Sequence, residues 1–199
     1  MQINKQSKTS KTLMDSLYID KVLSGDSHAF GYFISNYKDM AFSVSLSIVK
    51  NELLAEEATQ EAFIQAYLSL KNFNANSKFS TWFYKIVIRC SYKLISKKNM
   101  MQVEFDVNHH DAEIDENALQ TLLIEEQKQM INEVLMKMPS NESLALRLFY
   151  LEELSVQELC DITGWTLSNS KVILHRARKR MAYELNKELD NVHYGRKQG

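Results

Sequence analysis

The sequence predicts an all-α protein built from two small helical domains. Glycine and proline are scarce, with 5 Gly and 1 Pro in 199 residues, whereas folds rich in strands need many more turn residues. Apolar side chains recur at helical spacing over two long stretches, and these are separated by a run that has no clear period. A chain of this length has room for two compact units.

The periodic stretches set the predicted domain boundaries. We expect a loose polar tail over residues 1–17, a first helical domain over 18–98, an acidic flexible linker over 99–118, a second helical domain over 119–190, and a polar tail over 191–199.

One segment of the first domain conflicts with a helical reading. Residues 42–48 alternate strictly between apolar residues and serine, which is the period of a strand. Because a lone strand in a helical domain would leave its backbone groups unpaired, we predict a helix there.

The formal net charge of −1 hides an uneven distribution of charge. Charged residues are all basic over 85–98, all acidic over 104–126, and all basic again over 171–180. Each basic block can bind phosphate although the total cancels, and the alternative is that each is simply a solvated helix face.

Cysteine usage and hydropathy indicate a cytoplasmic protein without membrane insertion. Cys90 and Cys160 each lie in an apolar periodic segment, which is typical of buried free thiols. The polar start is followed by no apolar core of a signal peptide, and no stretch approaches the roughly 20 apolar residues of a membrane span.

Residues 155–180 fit a helix-turn-helix. Ser155 and Glu158 form an S-x-x-E capping box that predicts a helix from Val156. Gly164 follows where the turn needs a positive φ, and Thr166 can cap a second helix.

The second helix of this motif has two distinct faces. Leu174, Ala177, Met181 and Leu185 recur at the spacing of a buried stripe. The other face carries cations and starts with two small polar residues: Ser168, Asn169, Lys171, His175, Arg178 and Lys179. Such a helix can enter the major groove of DNA, although any helical hairpin can show the same capping and glycine turn. Ser170 replaces a usually buried aliphatic residue, so we expect looser packing at the start of this helix.

The first domain contains aromatic residues beside a basic stripe. Phe73, Phe79, Trp82, Phe83 and Tyr84 cluster around the loop at residues 71–81, and we call this loop together with the adjoining Trp82 the aromatic loop. The following helix places Lys85, Arg89, Lys93 and Lys97 at i+4 spacing. This pattern suits the stacking of unpaired bases and neutralisation of their backbone. Taken by itself, however, it favours an aromatic core with a solvated lysine face.

Four segments together resemble the extracytoplasmic-function (ECF) type of bacterial sigma factor. Gly25–Phe30 is similar to the GDxxAF opening of that family's region 2. Ala55–Phe63 resembles its A-E-D-x-x-Q-E-x-F helix, and Phe73–Phe83 its F…F-x-T-W-L segment. Leu154–Arg178 resembles region 4, ending in its R-A-R.

The resemblance implies contacts with core RNA polymerase and promoter DNA, and no cofactor, metal or catalysis. Facing the polymerase would be Glu57, Gln60, Glu61 and Phe63. The −10 element would be bound by Phe73, Asn74, Lys78, Phe79, Ser80, Thr81, Trp82, Lys85, Arg89 and Lys93. The −35 element would be bound by Ser168, Asn169, Lys171, Val172, His175, Arg176 and Lys179.

The sequence departs from the family pattern at three positions, and the resemblance implies one further partner. Glu57 replaces the usual Asp, while Arg89 and Lys93 replace the Asn and Asp of many members. The added charge leaves the −10 preference open. Members are often held inactive by an anti-sigma factor, which is therefore implied as a partner, and nothing in the sequence identifies one.

Two other classes of function compete with this interpretation. A helix-turn-helix regulator that binds duplex DNA without polymerase explains residues 155–180 but leaves the first domain without a role. An enzyme is disfavoured, because the sequence has no Gly-rich phosphate loop and no paired carboxylates or nucleophile–histidine arrangement. His109 and His110 beside Asp111 lack the spacing of a zinc site.

Overall fold

The computed structural model confirms the all-α prediction. It describes the backbone of residues 2–100 and 119–195 and the side chains within 11–97 and 127–188, and these parts contain no strand. The helices form two compact domains, with α1–α4 in the first and the bulk of α5–α8 in the second. Their bounds are α1 Gln2–Leu23, α2 Gly31–Val49, α3 Glu52–Ser69, α4 Phe79–Met100, α5 Leu119–Lys137, α6 Ser140–Leu146, α7 Val156–Thr163 and α8 Leu167–Gly195.

Aromatic rings and a row of alanines build the core of the first domain. Phe33 of α2 and Phe83 of α4 are fully buried, and Phe79 lies between them with ring centroids 4.2 Å and 5.7 Å away. The face of α3 turned inward carries Ala55, Ala58, Ala62 and Ala66, all at 0% exposure. Because alanine has no side chain beyond Cβ, α2 and α4 can both pack closely against α3.

The alternating segment at residues 42–48 is helical, as predicted. The buried side of α2 is formed by Tyr37, Ala41, Val44 and Ile48, whose spacing is helical. The Ser47 hydroxyl donates to the Ser43 carbonyl at 3.0 Å, so it is satisfied within the helix. A serine hydroxyl on the buried side of α2 can therefore form a hydrogen bond with the preceding turn of the same helix.

The polar tail predicted for residues 1–17 is wrong, because α1 begins at Gln2 and packs on α2. The Asp15 carboxylate is buried and accepts hydrogen bonds from the hydroxyls of Tyr37, at 2.6 Å, and Tyr32, at 3.1 Å. Burial raises the pKa of Asp15 above its ordinary value despite both bonds, and burial together with the Asp15 charge raises the pKa of Tyr32 to about 12. The Lys11 ammonium lies 4.3 Å from the Tyr37 ring centroid, and the Tyr18 and Tyr32 rings stack at 4.1 Å.

The second domain has its own apolar core. Ile131, Met181 and Leu185 pack at the edge of this core. Its buried members come from α5, from the connection between α5 and α6, from α6 and from α8: Val134, Leu135, Met138, Leu146 and Ala177. Between α6 and α7 the backbone makes a π-helical turn over Arg147–Leu151, in which the Glu152 amide donates to the Arg147 carbonyl at 3.0 Å.

Both remaining connecting segments fall partly beyond what the structure describes. Of the predicted linker over 99–118, residues 99 and 100 end α4, and residues 101–118 lie outside the described residues. The polar tail predicted from residue 191 is helical as far as Gly195, and residues 196–199 are likewise outside.

Candidate nucleic-acid interface

The helix-turn-helix predicted from the capping pattern has the expected local geometry. The Ser155 hydroxyl and amide both donate to the Glu158 carboxylate, at 2.8 Å and 2.9 Å, and the Glu158 amide donates to the Ser155 hydroxyl at 3.2 Å. Gly164 has φ +76° in the turn, which L side chains rarely adopt. The Asn169 amide donates to the Thr166 hydroxyl at 3.2 Å, so Thr166 caps α8 as predicted.

The two helices of the motif are closely packed at the start of α8, contrary to our expectation. Ser170 has 0% exposure, and its hydroxyl oxygen lies 3.2 Å from the sulfur of Cys160 on α7. Two small polar side chains therefore replace an aliphatic contact, because the hydroxyl and the thiol satisfy each other inside the core.

One face of α8 is polar and exposed, and its opposite face is buried. Leu174 and Ala177 are 2% and 0% exposed. Every residue predicted to bind the −35 element is exposed, and we call this set the reading face: Ser168, Asn169, Lys171, Val172, His175, Arg176 and Lys179. The surface combines small hydrogen-bonding groups at the helix start with cations further along, which suits base edges and phosphates respectively.

Two arginines of α8 make intramolecular contacts that the sequence pattern did not reveal. The Arg178 Nε donates to the Tyr150 hydroxyl at 2.7 Å, and the Arg180 Nε donates to a Glu142 oxygen at 2.7 Å. Arg178 was predicted to belong with the DNA-facing cations. Its partner lies 28 residues away in sequence, so helical periodicity could not identify this contact.

The aromatic loop divides into a buried part and an exposed part. Phe79 is only 2% exposed, so its predicted contact with DNA is wrong, and it belongs to the core. Phe73, Ser80, Thr81 and Trp82 are half-buried, and the Trp82 ring centroid lies 5.3 Å from that of Phe73. Asn74 and Lys78 are exposed. The Asn74 side-chain oxygen accepts from the Asn76 amide at 3.3 Å, across Ala75 in a left-handed conformation with φ +56°.

The basic stripe of α4 is exposed along its length, and we call Lys85, Arg89, Lys93 and Lys97 the α4 stripe. Lys85, Arg89 and Lys93 point to solvent, while Val87 and Cys90 on the other side are buried. Cys90 and Cys160 are both free, as predicted. Burial, with a smaller contribution from the Glu61 charge, raises the pKa of the Cys90 thiol and keeps it protonated. This stripe can neutralise a phosphate backbone that passes the aromatic loop.

The predicted docking surface on α3 contains more apolar residues than expected. Glu57 and Gln60 are exposed, and half-exposed Glu61 accepts a hydrogen bond from Gln65 at 2.9 Å. Phe63 is not part of this surface, because it is buried against Phe83 at 4.8 Å between ring centroids.

The same face of α3 exposes three large aliphatic side chains that sequence reasoning missed. Leu53, Ile64 and Leu68 are 74%, 53% and 61% exposed. In sequence order Leu53, Glu57, Gln60, Ile64 and Leu68 are separated by four, three, four and four residues. This helical spacing places all five on one stripe. That spacing was readable in the sequence, but only the structure shows that this stripe is the outer one. We call these five residues the α3 stripe.

Two further expectations concern metals and membranes. The described residues contain no group of three or more His, Cys, Asp or Glu placed to hold a metal ion, and His109 and His110 lie outside them. Within the described parts of the chain, no helix is both long enough and apolar enough to cross a membrane.

Comparison with family models gives two matches, one in each domain. Sigma-70 region 2 matches residues 33–100, and Sigma-70 region 4 matches residues 128–181. The first match includes the aromatic loop and the α4 stripe, and the second includes the capping box and the reading face.

Similar sequences and structures cover most of the chain. The ECF RNA polymerase sigma factor SigW of Bacillus subtilis is 29% identical over 179 residues, covering 84% of this chain and 94% of SigW. The ECF sigma-E factor of Escherichia coli K12 is 27% identical over 180 residues, covering 85% and 93%. Among solved structures, RpoE of Bartonella quintana with the anti-sigma factor NepR has a TM-score of 0.63 at 18% identity, covering 79% of this chain and 96% of that one. CnrH with the cytosolic domain of CnrY has a TM-score of 0.59 at 16% identity, covering 87% and 98%.

Proposed function

Because the chain belongs to the sigma-70 family and is an ECF-type sigma factor, we propose that it directs core RNA polymerase to promoters through three surfaces. The α3 stripe with Glu61 docks on the polymerase, the aromatic loop with the α4 stripe holds the melted −10 element, and the reading face binds the −35 element. The observation that carries this proposal is that each family region presents its own exposed basic face, on α4 and on α8.

The reading face supports duplex recognition in the upstream element. Its small polar residues lie in the first turn of α8, where a helix that enters the major groove contacts base edges. Lys171, Arg176 and Lys179 lie further along and can contact phosphates or guanine edges.

The first domain supports capture of unpaired DNA rather than duplex. The exposed part of the aromatic loop can receive a base, and the half-buried rings of Phe73 and Trp82 give it an apolar wall. Lys85, Arg89 and Lys93 continue from that wall as a row of cations suited to the strand's backbone.

The α3 stripe supports docking of a partner helix. Its exposed leucines and isoleucine form an apolar centre, and Glu57, Gln60 and Glu61 add polar groups that fix register. An apolar centre with a polar rim is the usual anatomy of a stable protein interface.

The proposal also covers catalysis, location in the cell and a protein partner. Sigma factors are transcription initiation factors, and we propose that this one has no catalysis of its own and acts in the cytoplasm. An anti-sigma partner is proposed because RpoE was solved in complex with the anti-sigma factor NepR. A regulator that binds duplex DNA without polymerase is not favoured, because the family matches cover both domains.

The test is transcription from a library of randomised promoters by bacterial core polymerase with and without the full-length protein. Sequence-specific initiation that depends on the protein is expected, and binding of duplex DNA without association with core polymerase would overturn the proposal.

A charge variant tests the docking surface separately. Gln60→Lys combined with Glu61→Lys should weaken binding to core polymerase by about tenfold or more while the circular dichroism spectrum stays helical, because both side chains lie outside the core. Undiminished binding in a titration would remove this surface from the proposal. Lys38→Glu, an exposed charge change on α2, is the matched control.

A further inference from the structure

Arg178 and Arg180 lie at opposite edges of the buried side of α8. With about 100° per residue, Arg178 lies about 20° from Lys171 around the helix axis and about 160° from Arg180. The buried Leu174 and Ala177 fall in the interval between the two arginines. Each arginine therefore stands where α8 meets the rest of its domain, at the border of the reading face.

Arg178 is held by two aromatic rings as well as by a hydrogen bond. Its Nε donates to the Tyr150 hydroxyl at 2.7 Å. The guanidinium carbon lies 5.5 Å from the Phe149 ring centroid and 5.6 Å from that of Tyr150, within the range of a cation–π contact. The two rings meet edge to face at 4.9 Å, so they form a corner that encloses one side of the guanidinium.

The partner segment is the π-helical turn that leads into the helix-turn-helix. Phe149 and Tyr150 both lie in Arg147–Leu151, and the Arg147 side chain donates to the Asn132 oxygen of α5 at 3.2 Å. Arg178 thus connects α8 to a segment that is itself fixed to α5. At the other edge, Arg180 is joined to Glu142 of α6 by an ion pair at 2.7 Å.

We propose that Arg178 is a positioning residue for binding of the upstream promoter element, and this rests on the proposed function. Its guanidinium fixes the orientation of α8 against the Phe149–Tyr150 corner, so that the reading face meets the groove at one angle. It does so in place of neutralising a phosphate. A lysine cannot substitute, because it lacks both the planar guanidinium and the Nε donor.

The test compares specific with nonspecific binding by holoenzyme. Full-length variants are assembled with core polymerase and titrated with duplex promoters that the parent selects from a randomised library, and with the same duplexes carrying a scrambled upstream element. Arg178→Ala and Arg178→Lys should each lower the ratio of the two affinities by about fivefold. The slope of log affinity against log salt should stay parental for both, because no phosphate contact is lost.

Coupling to Tyr150 identifies the partner. Tyr150→Phe should lower the same ratio by about twofold, because it removes the hydroxyl but keeps the ring. The double variant Tyr150→Phe, Arg178→Ala should match Arg178→Ala alone. Fully additive losses would contradict the proposed route through Tyr150.

Lys179→Ala is the matched control on the reading face. Loss of a phosphate contact should reduce the salt slope by about 0.9 and weaken both duplexes alike. If Arg178→Ala reduces the slope in this way and Arg178→Lys restores it, Arg178 is a phosphate contact and the proposal is wrong. A partly unfolded variant would also weaken both duplexes alike, so a changed ratio separates positioning from lost stability.

Two failures remain distinguishable. In the first, Arg178→Ala keeps the parental ratio of affinities for intact and scrambled upstream elements, while Lys171→Ala lowers it. This result overturns the positioning role and leaves the proposed function standing. In the second, both variants keep the parental ratio. This result overturns the assignment of the reading face to the upstream element, and the positioning role with it.

Discussion

The reading face of α8 and the aromatic loop of the first domain are proposed to bind the two ends of one promoter, and they are built differently. On α8 the packing residues and the proposed DNA-binding residues lie on opposite sides of one helix. Leu174 and Ala177 are buried, and the whole reading face is exposed. In the aromatic loop the functions are interleaved. Phe79 is core, Trp82 is half-buried, and Asn74 and Lys78 are exposed within ten residues.

The difference has a physical origin in what each surface is proposed to bind. A duplex presents its base edges in a groove, so polar side chains on one helix face suffice. An unpaired base presents a flat face that stacks on aromatic rings, and the rings available here, Phe73 and Trp82, are half-buried and also contact the core ring of Phe79. A substitution on the reading face should therefore affect binding without changing stability, whereas one in the aromatic loop can affect both.

The largest effect is expected at Phe79, the residue of the aromatic loop that lies fully in the core. Phe79→Ala should destabilise the first domain by about 3–5 kcal/mol, because it opens a cavity among Phe33, Trp82 and Phe83. Urea unfolding followed by circular dichroism measures this loss. Asn74→Ala, exposed in the same loop, is the control and should stay within about 0.5 kcal/mol of the parent. Equal stabilities would refute the assignment of Phe79 to the core.

The reading face should show the opposite behaviour. Lys171→Ala and Arg176→Ala should each weaken upstream recognition by about 1–3 kcal/mol while the unfolding midpoint stays parental, since both side chains are exposed. Footprinting and transcription on promoters with intact and scrambled upstream elements measure the effect. Parental footprints from both variants would show that α8 is not the recognition helix.

Opening of the −10 region is expected to be reduced, by about tenfold, when a backbone cation or the shape of the ring wall is changed. Arg89→Ala removes a cation from the α4 stripe, and Trp82→Tyr keeps an aromatic ring of another shape beside Phe73. Permanganate reactivity of unpaired thymines should fall while closed complexes still form, because neither change touches α8.

A pre-melted template sharpens that result. It should restore part of the activity of both variants, since the melting step is bypassed but the lost contacts are not. Opening of duplex promoters at the parental rate would show that the first domain is not the melting module.

The smallest effect concerns the packing of α8 on α7. Ser170→Ala should destabilise the second domain by about 0.5–1.5 kcal/mol, because it removes the hydroxyl 3.2 Å from the Cys160 sulfur. Ser168→Ala, two residues earlier and exposed, should be close to neutral for stability. Thermal unfolding compares the two variants, and equal midpoints would indicate that the buried hydroxyl contributes nothing.

Local signals carried most of the prediction on α7 and α8. The capping box, the glycine turn and the apolar stripe depend on residues within one or two turns of each other, and all three have the expected geometry. Interactions of this range are fixed by spacing along a helix, so a sequence contains them.

Long-range packing decided the rest. The sequence by itself determined two helical domains, the helix-turn-helix and the basic faces of α4 and α8, because helical period and charge are properties of the chain. Only the tertiary structure showed that α1 is anchored through Asp15, that Phe63 and Phe79 are core, and that Arg178 turns to Tyr150. Each of these features depends on a partner 15 to 30 residues away in sequence or on which side of a helix packs against the rest of its domain. Local spacing along the chain determines neither of these conditions.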